Sequence, residues 1–485
     1  MLCGIDLGTS SLKCAFFDDS GRSLGLGVAP VGLYHGEERG EFCADPLEWA
    51  RAAAEAIGQA LVASGRSASD IEAVSVSGNG PTLVAVGADD RPIGGALSWM
   101  DRRATDQAAR AEAVAGRPVD PSFYLPKAMK VLEERPEGEV RRFFSAPEYL
   151  AFLMGAEPVS YLVDPYFETY VWDLETAGKL GLSASLFPRY VGPCVIIGTV
   201  SARASAVFGL PAGVPISSSY PDFLAALIGS GTVRPGMACD RSGSSEALNL
   251  CASAPFPDIR LFSLPHAQPG LWNLSGGLST SGKALEWFSR QGGYSGIEAD
   301  TIYQDFLSAT PGARGALFLP YLAGERAPLW NPDLRGAFVG LSLEHGRKEL
   351  ARAVVESLAY GLRLVAEIMA ECPTPPELIR CSGGAARNEA LCALKADVLG
   401  LAVEVPETPE CETLGDACAA AIALGRYANI AEAVRAMVRP RNRYEPDVRN
   451  AAIHDDTYGR WKEALLAISG LGVAGGASIS VSKTI

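Results

Sequence analysis

Small polar residues, a carboxylate and a lysine lie close together near the start of the chain, in the run GIDLGTSSLK. Asp6 stands at the end of a short apolar segment. A tight turn follows it, formed by Gly8, Thr9 and Ser10. The N–H and hydroxyl groups of such a turn can bind phosphate oxygens, and Lys13 supplies a cation on the returning strand. The alternative is an ordinary hairpin with an aspartate at the surface, so the run is a candidate phosphate-binding turn.

A second carboxylate stands at the start of an apolar helix in the run SSSYPDFLAALIGSG. Proline suits the first position of a helix, so Pro221 puts Asp222 in the first turn. The positive end of the helix dipole keeps a carboxylate ionised at that position. The alternative is an aspartate that only helps to start the helix. Asp222 is therefore a candidate for chemistry that needs an ionised carboxylate.

Two adjacent glycines separate a strand from a helix in the run CSGGAARNEAL. Gly383 and Gly384 end the strand, and the helix is expected to begin near Asn388. Backbone N–H groups and an amide at a helix start suit the phosphates and the adenine edge of ADP. A plain turn between a strand and a helix is the alternative to this candidate nucleotide site.

The run FLPYLAGERAPLWNPDLR combines three prolines with Gly324, Glu325 and Arg326. It lies between a predicted strand and a predicted long helix. A proline-rich connector without a functional role is the alternative to a functional loop.

Residues 277–283 match the pattern GxxxxGK of a nucleotide-binding P-loop. The next residue is Ala284, which has no hydroxyl group for Mg²⁺, and the preceding residues do not form a clear buried strand pattern. A P-loop is therefore not expected here, and Trp287 and Phe288 are assigned to the core.

Strands alternate with helices along the chain, and the opening order of elements returns in the second half. The predicted strands are Leu2–Leu7, Leu12–Phe17, Leu24–Val31, Ile71–Val76, Thr82–Val86, Val214–Ser219 and Leu378–Cys381, with a hairpin in Gly236–Ala252. The predicted helices are one after Asp45, then Arg102–Ala115, Lys127–Glu134, Pro147–Met154, Asp222–Ile228 and Lys348–Glu371, and two that start near Asn388 and Gly415. Gly243 and Ser244 take the place in the second hairpin that Gly8 and Thr9 take in the first. The pattern predicts an α/β protein with a duplicated nucleotide-binding fold and a cleft between the halves.

Composition excludes several classes of protein. The chain has 485 residues, 48% hydrophobic and 20% charged, so it can form large cores and is not a disordered protein. Its 42 Lys and Arg against 56 Asp and Glu give a net charge of −14, which argues against nucleic-acid and anionic-membrane partners. No apolar segment reaches the about 18 residues of a membrane span. The 11 scattered cysteines and 4 histidines predict neither a disulfide scaffold nor a zinc site, so a reduced, cytoplasmic protein is expected.

Together and in this order, the four runs resemble the FGGY family of carbohydrate kinases, most closely its xylulokinase-like branch. The resemblance extends from Leu2 to about Pro446. GERAP is its most specific signature, whereas the opening run is shared with other actin-like ATPases. The resemblance implies two RNase H-like domains, with ATP and sugar meeting in the cleft, and transfer of the γ-phosphoryl group to a sugar or polyol hydroxyl. The sugar-binding domain is expected at residues 1–233, the nucleotide-binding domain at 234–446, and a C-terminal helix and a loosely held tail at 447–485.

The resemblance also assigns roles to residues. Asp222 matches the catalytic aspartate that accepts the proton of the attacking hydroxyl, and Asp6 matches the acidic residue that holds Mg²⁺, usually through water. The residues that match the nucleotide-binding positions are Gly8, Thr9, Ser10, Lys13, Gly243, Ser244, Gly383, Gly384 and Asn388. Trp99, Asp101 and Arg102 resemble a stretch that lies beside the sugar.

The acceptor side departs from the family. Xylulokinases have Gln-Met-His-Gly, and glycerol kinases Gln-Arg-Glu-Thr, where this chain has Asn-Gly-Pro-Thr at 79–82. Gly80 opens space and Pro81 fixes the backbone, but neither side chain bonds a hydroxyl. Phe223 replaces an expected amide residue with an apolar face. The expected acceptor is therefore a bulkier, cyclic or partly deoxygenated sugar or polyol rather than xylulose or glycerol, and a common ketopentose bound through other loops is the alternative. The residues expected around it are Asn79, Gly80, Pro81, Trp99, Asp101, Arg102, Asp222 and Phe223.

Two other classes of function remain as alternatives. A heat-shock-chaperone ATPase also begins with GIDLGT, but it needs a peptide-binding domain and a helical lid, and too few residues follow Gly425. It also leaves GERAP unexplained. A non-catalytic sugar or nucleotide sensor of the same fold is the second alternative, although Asp6 and Asp222 are both present. The expected partner is a small-molecule sugar or polyol, and a homodimer is the assembly considered.

Overall fold

The predicted alternation of strands and helices is present in the computed structural model, which describes residues 1–36, 38, 40–294 and 301–469. The tail expected after Ile468 lies almost entirely outside the described residues. Contacts divide the chain into two units. Unit 1 comprises Met1–Gly231 and Glu410–Val438, and unit 2 comprises Thr232–Pro409 and Arg439–Ile485.

Residues 1–231 supply most of unit 1. Their strands are β1 (Leu2–Leu7), β2 (Ser11–Phe17), β3 (Ser23–Pro30), β4 (Tyr34–His35), β5 (Phe42–Ala44), β6 (Ala73–Gly78), β7 (Leu83–Val86), β8 (Ala96–Leu97), β9 (Arg142–Ser145), β10 (Val159–Tyr161), β11 (Arg189–Val191), β12 (Ile196–Thr199) and β13 (Pro215–Ser217). Their helices are α1 (Pro46–Ser64), α2 (Thr105–Ala115), α3 (Tyr124–Glu134), α4 (Ala146–Met154), α5 (Leu174–Lys179), α6 (Ala202–Phe208) and α7 (Asp222–Gly229). Helix α1 begins where the sequence predicts. The side chain of Asp45 accepts a hydrogen bond from the N–H group of Leu47, and Pro46 is the first helical residue.

The rest of the chain supplies unit 2 and completes unit 1. Its strands are β14 (Met237–Ser242), β15 (Glu246–Ala252), β16 (Phe262–Pro265), β17 (Trp272–Leu278), β18 (Leu317–Leu319), β19 (Ala337–Val339), β20 (Leu378–Gly383), β21 (Val403–Pro406) and β22 (Pro440–Tyr444). Its helices are α8 (Gly282–Gln291), α9 (Thr301–Ser308), α10 (Arg347–Ala370), α11 (Glu389–Leu399), α12 (Cys411–Ala423), α13 (Ile430–Met437) and α14 (Val448–Ser469). None of the helices in the described part of the chain is long and apolar enough to span a lipid bilayer.

The main sheets of the two units are built in the same way around their first hairpins. In unit 1 the strand order is β12-β13-β6-β1-β2-β3, with β1 antiparallel to β2 and parallel to β6. In unit 2 the order is β16-β17-β15-β14-β20-β21-β22, with β14 antiparallel to β15 and parallel to β20. The turn at Gly243 therefore occupies the same place as the turn at Gly8, and the predicted duplicated α/β fold is present. A second sheet of unit 1, β4-β5-β8-β7-β9, carries the segments around Gly80 and Trp99.

Several expected boundaries differ from the observed ones, among them two helix starts. The helix expected from Arg102 begins at Thr105, because the carboxylate of Asp101 first binds the N–H group of Arg103. The helix expected near Gly415 begins at Cys411, so this glycine lies inside a helix and does not start one. The domain boundaries expected at 233 and 446 differ from those of the units, because residues 410–438 return to unit 1.

Helix α12 returns to unit 1 through main-chain contacts at glycines. A Cβ atom on Gly415 would lie 2.0 Å from the carbonyl oxygen of Ala225 in α7, and one on Gly229 would lie 1.8 Å from that of Cys411. On another face of α12, a Cβ atom on Gly4 in β1 would lie 2.0 Å from the carbonyl oxygen of Thr413. Since no side chain fits at these positions, the backbones of α7, α12 and β1 touch directly, and α12 fixes the place of the helix that Asp222 starts.

Gly415→Ala should lower the free energy of unfolding by about 1–3 kcal/mol, the usual cost of overpacking a filled interior. The added methyl group forces α12 away from α7. Gly58→Ala is the matched control, because no heavy atom of the described residues lies within 4 Å of a Cβ atom at Gly58 in α1. This control should stabilise the protein by up to about 1 kcal/mol, the difference in helix propensity. Urea titration followed by circular dichroism measures both variants, and equal stability of the two would contradict the close packing.

Candidate active site

The turn after β1 is shaped by short main-chain contacts. Asp6 is 4% exposed and pairs in register with Lys13 on β2 and with Ser77 on β6. The N–H group of Gly8 donates to the carbonyl oxygen of Ser11 over 3.0 Å. A Cβ atom on Gly8 would lie 2.7 Å from that oxygen, so this position needs a glycine. The predicted tight turn is therefore present beside Asp6.

Asn79 and Thr82 connect this turn to Trp99. The side-chain NH₂ group of Asn79 donates a hydrogen bond to the carbonyl oxygen of Leu7 over 2.9 Å. The side-chain oxygen of Asn79 accepts a hydrogen bond from the hydroxyl of Thr82 over 2.6 Å. The hydroxyl oxygen of Thr82 in turn accepts a hydrogen bond from the main-chain N–H group of Trp99 over 3.2 Å. The indole N–H group of Trp99 donates to the hydroxyl of Thr9 over 3.0 Å. Trp99, which was expected beside the sugar, thus holds the turn after β1, and the amide of Asn79 is engaged within the protein.

Residues 79–82 and 97–101 are here named the acceptor loops, because they carry residues expected beside the sugar. A cis peptide bond joins Gly80 to Pro81. A Cβ atom on Gly80 would lie 3.0 Å from the hydroxyl oxygen of Tyr124 in α3. The expectation that Gly80 leaves open space is corrected on this side, since the tyrosine hydroxyl occupies it.

The two charged residues after Trp99 have different surroundings. The side chain of Asp101 is 1% exposed. Its carboxylate accepts hydrogen bonds from the N–H group of Phe42, over 3.2 Å, and from the guanidinium group of Arg103, over 2.8 Å. Arg102 instead donates to Asp120 over 2.9 Å in a half-exposed ion pair. Arg103, which the sequence did not single out, is therefore the arginine that fixes Asp101, and the side chain of Arg102 stays accessible.

Asp222 is the first residue of α7 and is partly buried, as its sequence context predicts. Its carboxylate accepts the N–H group of Phe223 over 2.6 Å. Burial raises the pKa of Tyr124, and the carboxylates of Glu148 and Asp222 raise it further. The effect of Asp222 is the smallest of those that act on this pKa, and it indicates only that the carboxylate is in the neighbourhood of Tyr124. The ring of Phe223 lies 6.5 Å from the ring of Phe167, so an apolar face adjoins the carboxylate.

A buried carboxylate that the sequence analysis did not single out is that of Asp416 in α12. It accepts hydrogen bonds from the hydroxyl of Ser77, over 2.9 Å, and from the hydroxyl of Ser219. Ser77 is the register partner of Asp6, and Ser219 shortly precedes Asp222. Burial raises the pKa of Asp416 well above its usual value, and the charge of Asp6 adds to this effect. The signal in the sequence was a single aspartate in the otherwise apolar run LGDACAAAIA.

The corresponding turn of unit 2 is exposed at Gly243 and Ser244 and supported by the start of α8. The N–H groups of Gly282 and Lys283 donate to the carbonyl oxygens of Gly243 and Ser244 over 3.0 and 3.1 Å. Because these helix-start N–H groups are already bonded, the GxxxxGK run supports the second turn and does not form a P-loop. The strand that precedes this run, β17, is well formed, which corrects the sequence expectation.

The glycine pair after β20 meets the same turn. A Cβ atom on Gly383 would lie 2.1 Å from the carbonyl oxygen of Ser242, and its φ of +75° also favours glycine. The N–H group of Gly384 donates to this oxygen over 3.1 Å, and Gly384 is itself exposed. Asn388 caps α11, since its side-chain oxygen accepts the N–H group of Leu391 over 3.0 Å. The structure therefore brings Gly383, Gly384 and the Gly243 turn together.

A buried cation holds this turn from the inside. Lys395 on α11 is 0% exposed, and its ammonium group donates to Asp240 and Glu246 over 2.5 Å each. Burial alone would lower the pKa of Lys395, but Asp240, the Cys381 thiol and Glu246 together outweigh it and raise this pKa well above its usual value. Glu246 also accepts the hydroxyl of Ser281, just before α8, over 2.8 Å. One ion cluster therefore joins the turn to α8 and α11.

The run GERAP is fixed to the segment between β17 and α8. Glu325 is 5% exposed and accepts the N–H group of Ser279 over 3.0 Å and its hydroxyl over 2.5 Å. It also accepts the N–H group of Arg326 over 2.9 Å. Burial raises the pKa of Glu325. The most specific run of the sequence thus supports the segment that leads into α8, whose first N–H groups bind the Gly243 turn.

Two family models match the chain. Residues 1–118 match the N-terminal domain of the FGGY family of carbohydrate kinases, and residues 241–424 match its C-terminal domain. The chain belongs to the FGGY family of carbohydrate kinases. It is therefore an ATP-dependent kinase that phosphorylates a hydroxyl group of a sugar or polyol, as the resemblance implied.

Curated relatives and a solved structure cover nearly the whole of this FGGY kinase. A xylulose kinase from Staphylococcus epidermidis is 27% identical over 475 residues, which cover 94% of this chain and 95% of the relative. A gluconokinase from Bacillus licheniformis is 25% identical over 484 residues, with 93% and 92% covered. The crystal structure of a ligand-bound xylulose kinase from Lactobacillus acidophilus has a TM-score of 0.82 at 22% identity and covers 96% of this chain and 98% of that chain. The likeness confirms the predicted two-domain fold of actin-like ATPases.

Replacing Lys395 of the FGGY kinase by methionine should lower the free energy of unfolding by about 3–5 kcal/mol, the usual cost of removing one partner of a buried ion pair. The change leaves the carboxylates of Asp240 and Glu246 buried without their cation. Arg460→Met in α14 is the control, because its ion pair with Asp456 is half-exposed and contributes at most about 1 kcal/mol. Urea unfolding of both variants provides the comparison, and a loss below about 1 kcal/mol in Lys395→Met would refute the structural role of the cluster.

Proposed function

We propose that Asp222 is the general base of this carbohydrate kinase and that the acceptor loops bind the sugar or polyol. The observation that carries this proposal is the position of Asp222, a partly buried carboxylate at the start of α7. Its electrostatic coupling to Tyr124, which adjoins Gly80, supports an acceptor at these loops. Phosphoryl transfer needs alignment of the hydroxyl and neutralisation of charge more than covalent help from the protein. A single carboxylate that orients the hydroxyl and takes its proton meets the first need.

The proposed nucleotide site uses the two equivalent turns and the glycine pair. The γ-phosphate is assigned to Gly8, Thr9, Ser10 and Lys13, where tight-turn N–H and hydroxyl groups are present. The second phosphate turn is Gly243 and Ser244, and the ADP moiety is assigned to Gly383, Gly384 and Asn388. The exposed main chain of Gly384 supports this assignment, because a phosphate or base can approach it closely.

Mg²⁺ is the proposed metal cofactor, and the residues present fit it. The carboxylate of Asp6 lies at the phosphate-binding turn and provides the hard oxygen that Mg²⁺ prefers. No group of three or more His, Cys, Asp and Glu side chains able to hold a metal forms among the described residues. Asp6 would therefore hold the ion together with nucleotide oxygens and water, as is usual for Mg²⁺. When bound, the ion supplies charge neutralisation for the phosphate groups.

The proposed acceptor is a sugar or polyol with an apolar C–H face, other than D-xylulose or glycerol. Trp99 and Phe223 present aromatic surface, and Pro81 offers no side-chain hydrogen bond. The hydroxyl of Tyr124 beside Gly80 is a hydrogen-bonding group on this side. Arg102 can exchange its exposed pair with Asp120 for a ligand, because such pairs contribute little. Asp101 completes the proposed site as the buried partner of Arg103.

Asp222→Asn should reduce kcat by about 10²–10⁴-fold, the usual contribution of a general base, and leave nucleotide affinity unchanged. Asp45→Asn is the matched control, since it makes the same change at the exposed cap of α1 and asparagine caps a helix equally well. A coupled ADP-release assay gives kcat, and calorimetry gives the dissociation constant of ATP. Turnover of Asp222→Asn within two-fold of the wild type would remove Asp222 from the mechanism.

An acceptor panel tests the proposed substrate class. It should contain D-xylulose, D-gluconate and glycerol together with deoxy sugars and cyclic polyols. A site that bonds hydroxyl groups discriminates strongly, because unsuitable substrates leave buried polar groups without partners. The highest kcat/KM is therefore expected for a deoxy or cyclic compound. If D-xylulose has the highest kcat/KM, the interpretation of Gly80, Pro81 and Phe223 is wrong, although the chain remains a carbohydrate kinase.

A further inference from the structure

Lys127 on α3 is a buried ammonium group that donates to main-chain carbonyl oxygens. The side chain is 0% exposed. Its Nζ atom lies 2.8 Å from the carbonyl oxygen of Pro81, 2.6 Å from that of Ser98 and 3.4 Å from that of Leu97. An ammonium group has three N–H donors, so it can direct one to each oxygen.

These three carbonyl groups belong to both acceptor loops. Pro81 lies in the first loop, and Leu97 and Ser98 open the second loop, directly before Trp99. The side-chain bond between Thr82 and the N–H group of Trp99 also joins the loops. One cation thus binds the main chain on both sides of the proposed acceptor position.

This arrangement has a cost in stability that packing alone does not require. Burial lowers the pKa of Lys127 to about 7, although the carboxylates of Asp101 and Asp120 and the thiol of Cys43 favour its charged form and Arg102 opposes it. In the unfolded chain Lys127 keeps its ordinary, higher pKa. The loss of folding free energy caused by burying the ammonium group is therefore complete below pH 7 and disappears as the pH rises towards 10.5. An apolar side chain of similar volume would fill the site without this cost.

We propose that Lys127 is the positioning residue of the acceptor site, which fixes the spacing of the two acceptor loops by binding carbonyl oxygens of both. The inference rests on the proposed function, which puts the sugar or polyol at these loops. Lys127 does not touch the substrate in this proposal and acts through the main chain of Pro81 and Ser98. Its loss should therefore weaken acceptor binding more than nucleotide binding.

The protonation state of Lys127 gives the proposal a distinct pH dependence. Below pH 7 the charged form offers three N–H donors to three carbonyl oxygens. Above pH 7 the neutral amine offers only two N–H donors, and its lone pair repels the third carbonyl oxygen. The acceptor KM of the wild type should therefore rise between pH 6 and 8.5, and that of Lys127→Met should be high and flat over this range.

The test compares Lys127→Met with Lys130→Met, one turn further along α3. Lys130 pairs with Glu134 at 2.5 Å and has no bond to the acceptor loops in the described residues, so it controls for loss of a lysine from this helix. Hydrogen exchange measured by mass spectrometry on the ligand-free protein follows residues 79–101. Steady-state kinetics use the panel acceptor with the highest kcat/KM and ATP as the varied substrates.

Lys127→Met should raise the acceptor KM by about 10- to 100-fold, the scale of hydrogen bonds to a charged group, and leave the KM for ATP within two-fold. Exchange in residues 79–101 should become at least about 10-fold faster. Lys130→Met should change neither quantity. If Lys127→Met does not fold, Lys127→Gln, which keeps two N–H donors, should show the same split with a smaller effect.

The outcomes separate this inference from the proposed function. An active wild type with unchanged acceptor KM and unchanged exchange in Lys127→Met overturns the positioning role and leaves the acceptor site in place. Faster exchange with equal increases in the KM values of acceptor and ATP also overturns it, because the lysine would then act on overall stability. A wild type without turnover on any acceptor of the panel contradicts the proposed function itself.

Discussion

The main-chain contact of α12 with β1 and α7 is the constraint on which the arrangement of unit 1 depends. At Gly4, Gly229 and Gly415 a single added carbon atom would overlap a carbonyl oxygen, so the distances between these backbones have no freedom. With the helix axis fixed in this way, the side chain of Asp416 reaches Ser77 and Ser219. The carboxyl group of Asp416 therefore connects the end of the β1–β6 strand pair, which holds Asp6, to the segment that leads to Asp222.

The two equivalent turns are held by different means although their strands are arranged alike. In unit 1 neutral hydrogen bonds connect the turn to Trp99 and Asn79. In unit 2 a buried ion cluster around Lys395 connects the turn to α8 and α11. A buried ion cluster tolerates the loss of no member, because the remaining charges lose their partners. Side-chain hydrogen bonds at a partly exposed turn can exchange with water or a ligand, so the first turn is the more adaptable of the two.

The sequence predicted the strands, the turns and those helix starts that carry local capping signals, because local chemistry determines them. Asp45 before Pro46 at α1 and Asn388 at α11 cap their helices as the capping rules predict, and Asp222 lies in the first turn of α7 as expected, although Pro221 precedes that helix and does not start it. Contacts between distant segments could not be predicted in this way. Asp416, Lys127 and Lys395 each bind groups far away in the chain, and their local sequences resemble ordinary helix interiors. Gly415 was misassigned for the same reason, since it is needed by α7 and not by its own helix.

The return of residues 410–438 to unit 1 has a consequence for biosynthesis. A ribosome adds roughly 5–20 residues per second, so α7 of the nascent chain waits roughly 10–40 s, and β1 roughly 20–80 s, for α12 to be made. Unit 2 is also incomplete at that time, because β22 and α14 come from residues after 438. Both units are thus finished only as the last part of the chain emerges. A cut before residue 410 would remove material from both, so neither of the two resulting segments contains a complete unit.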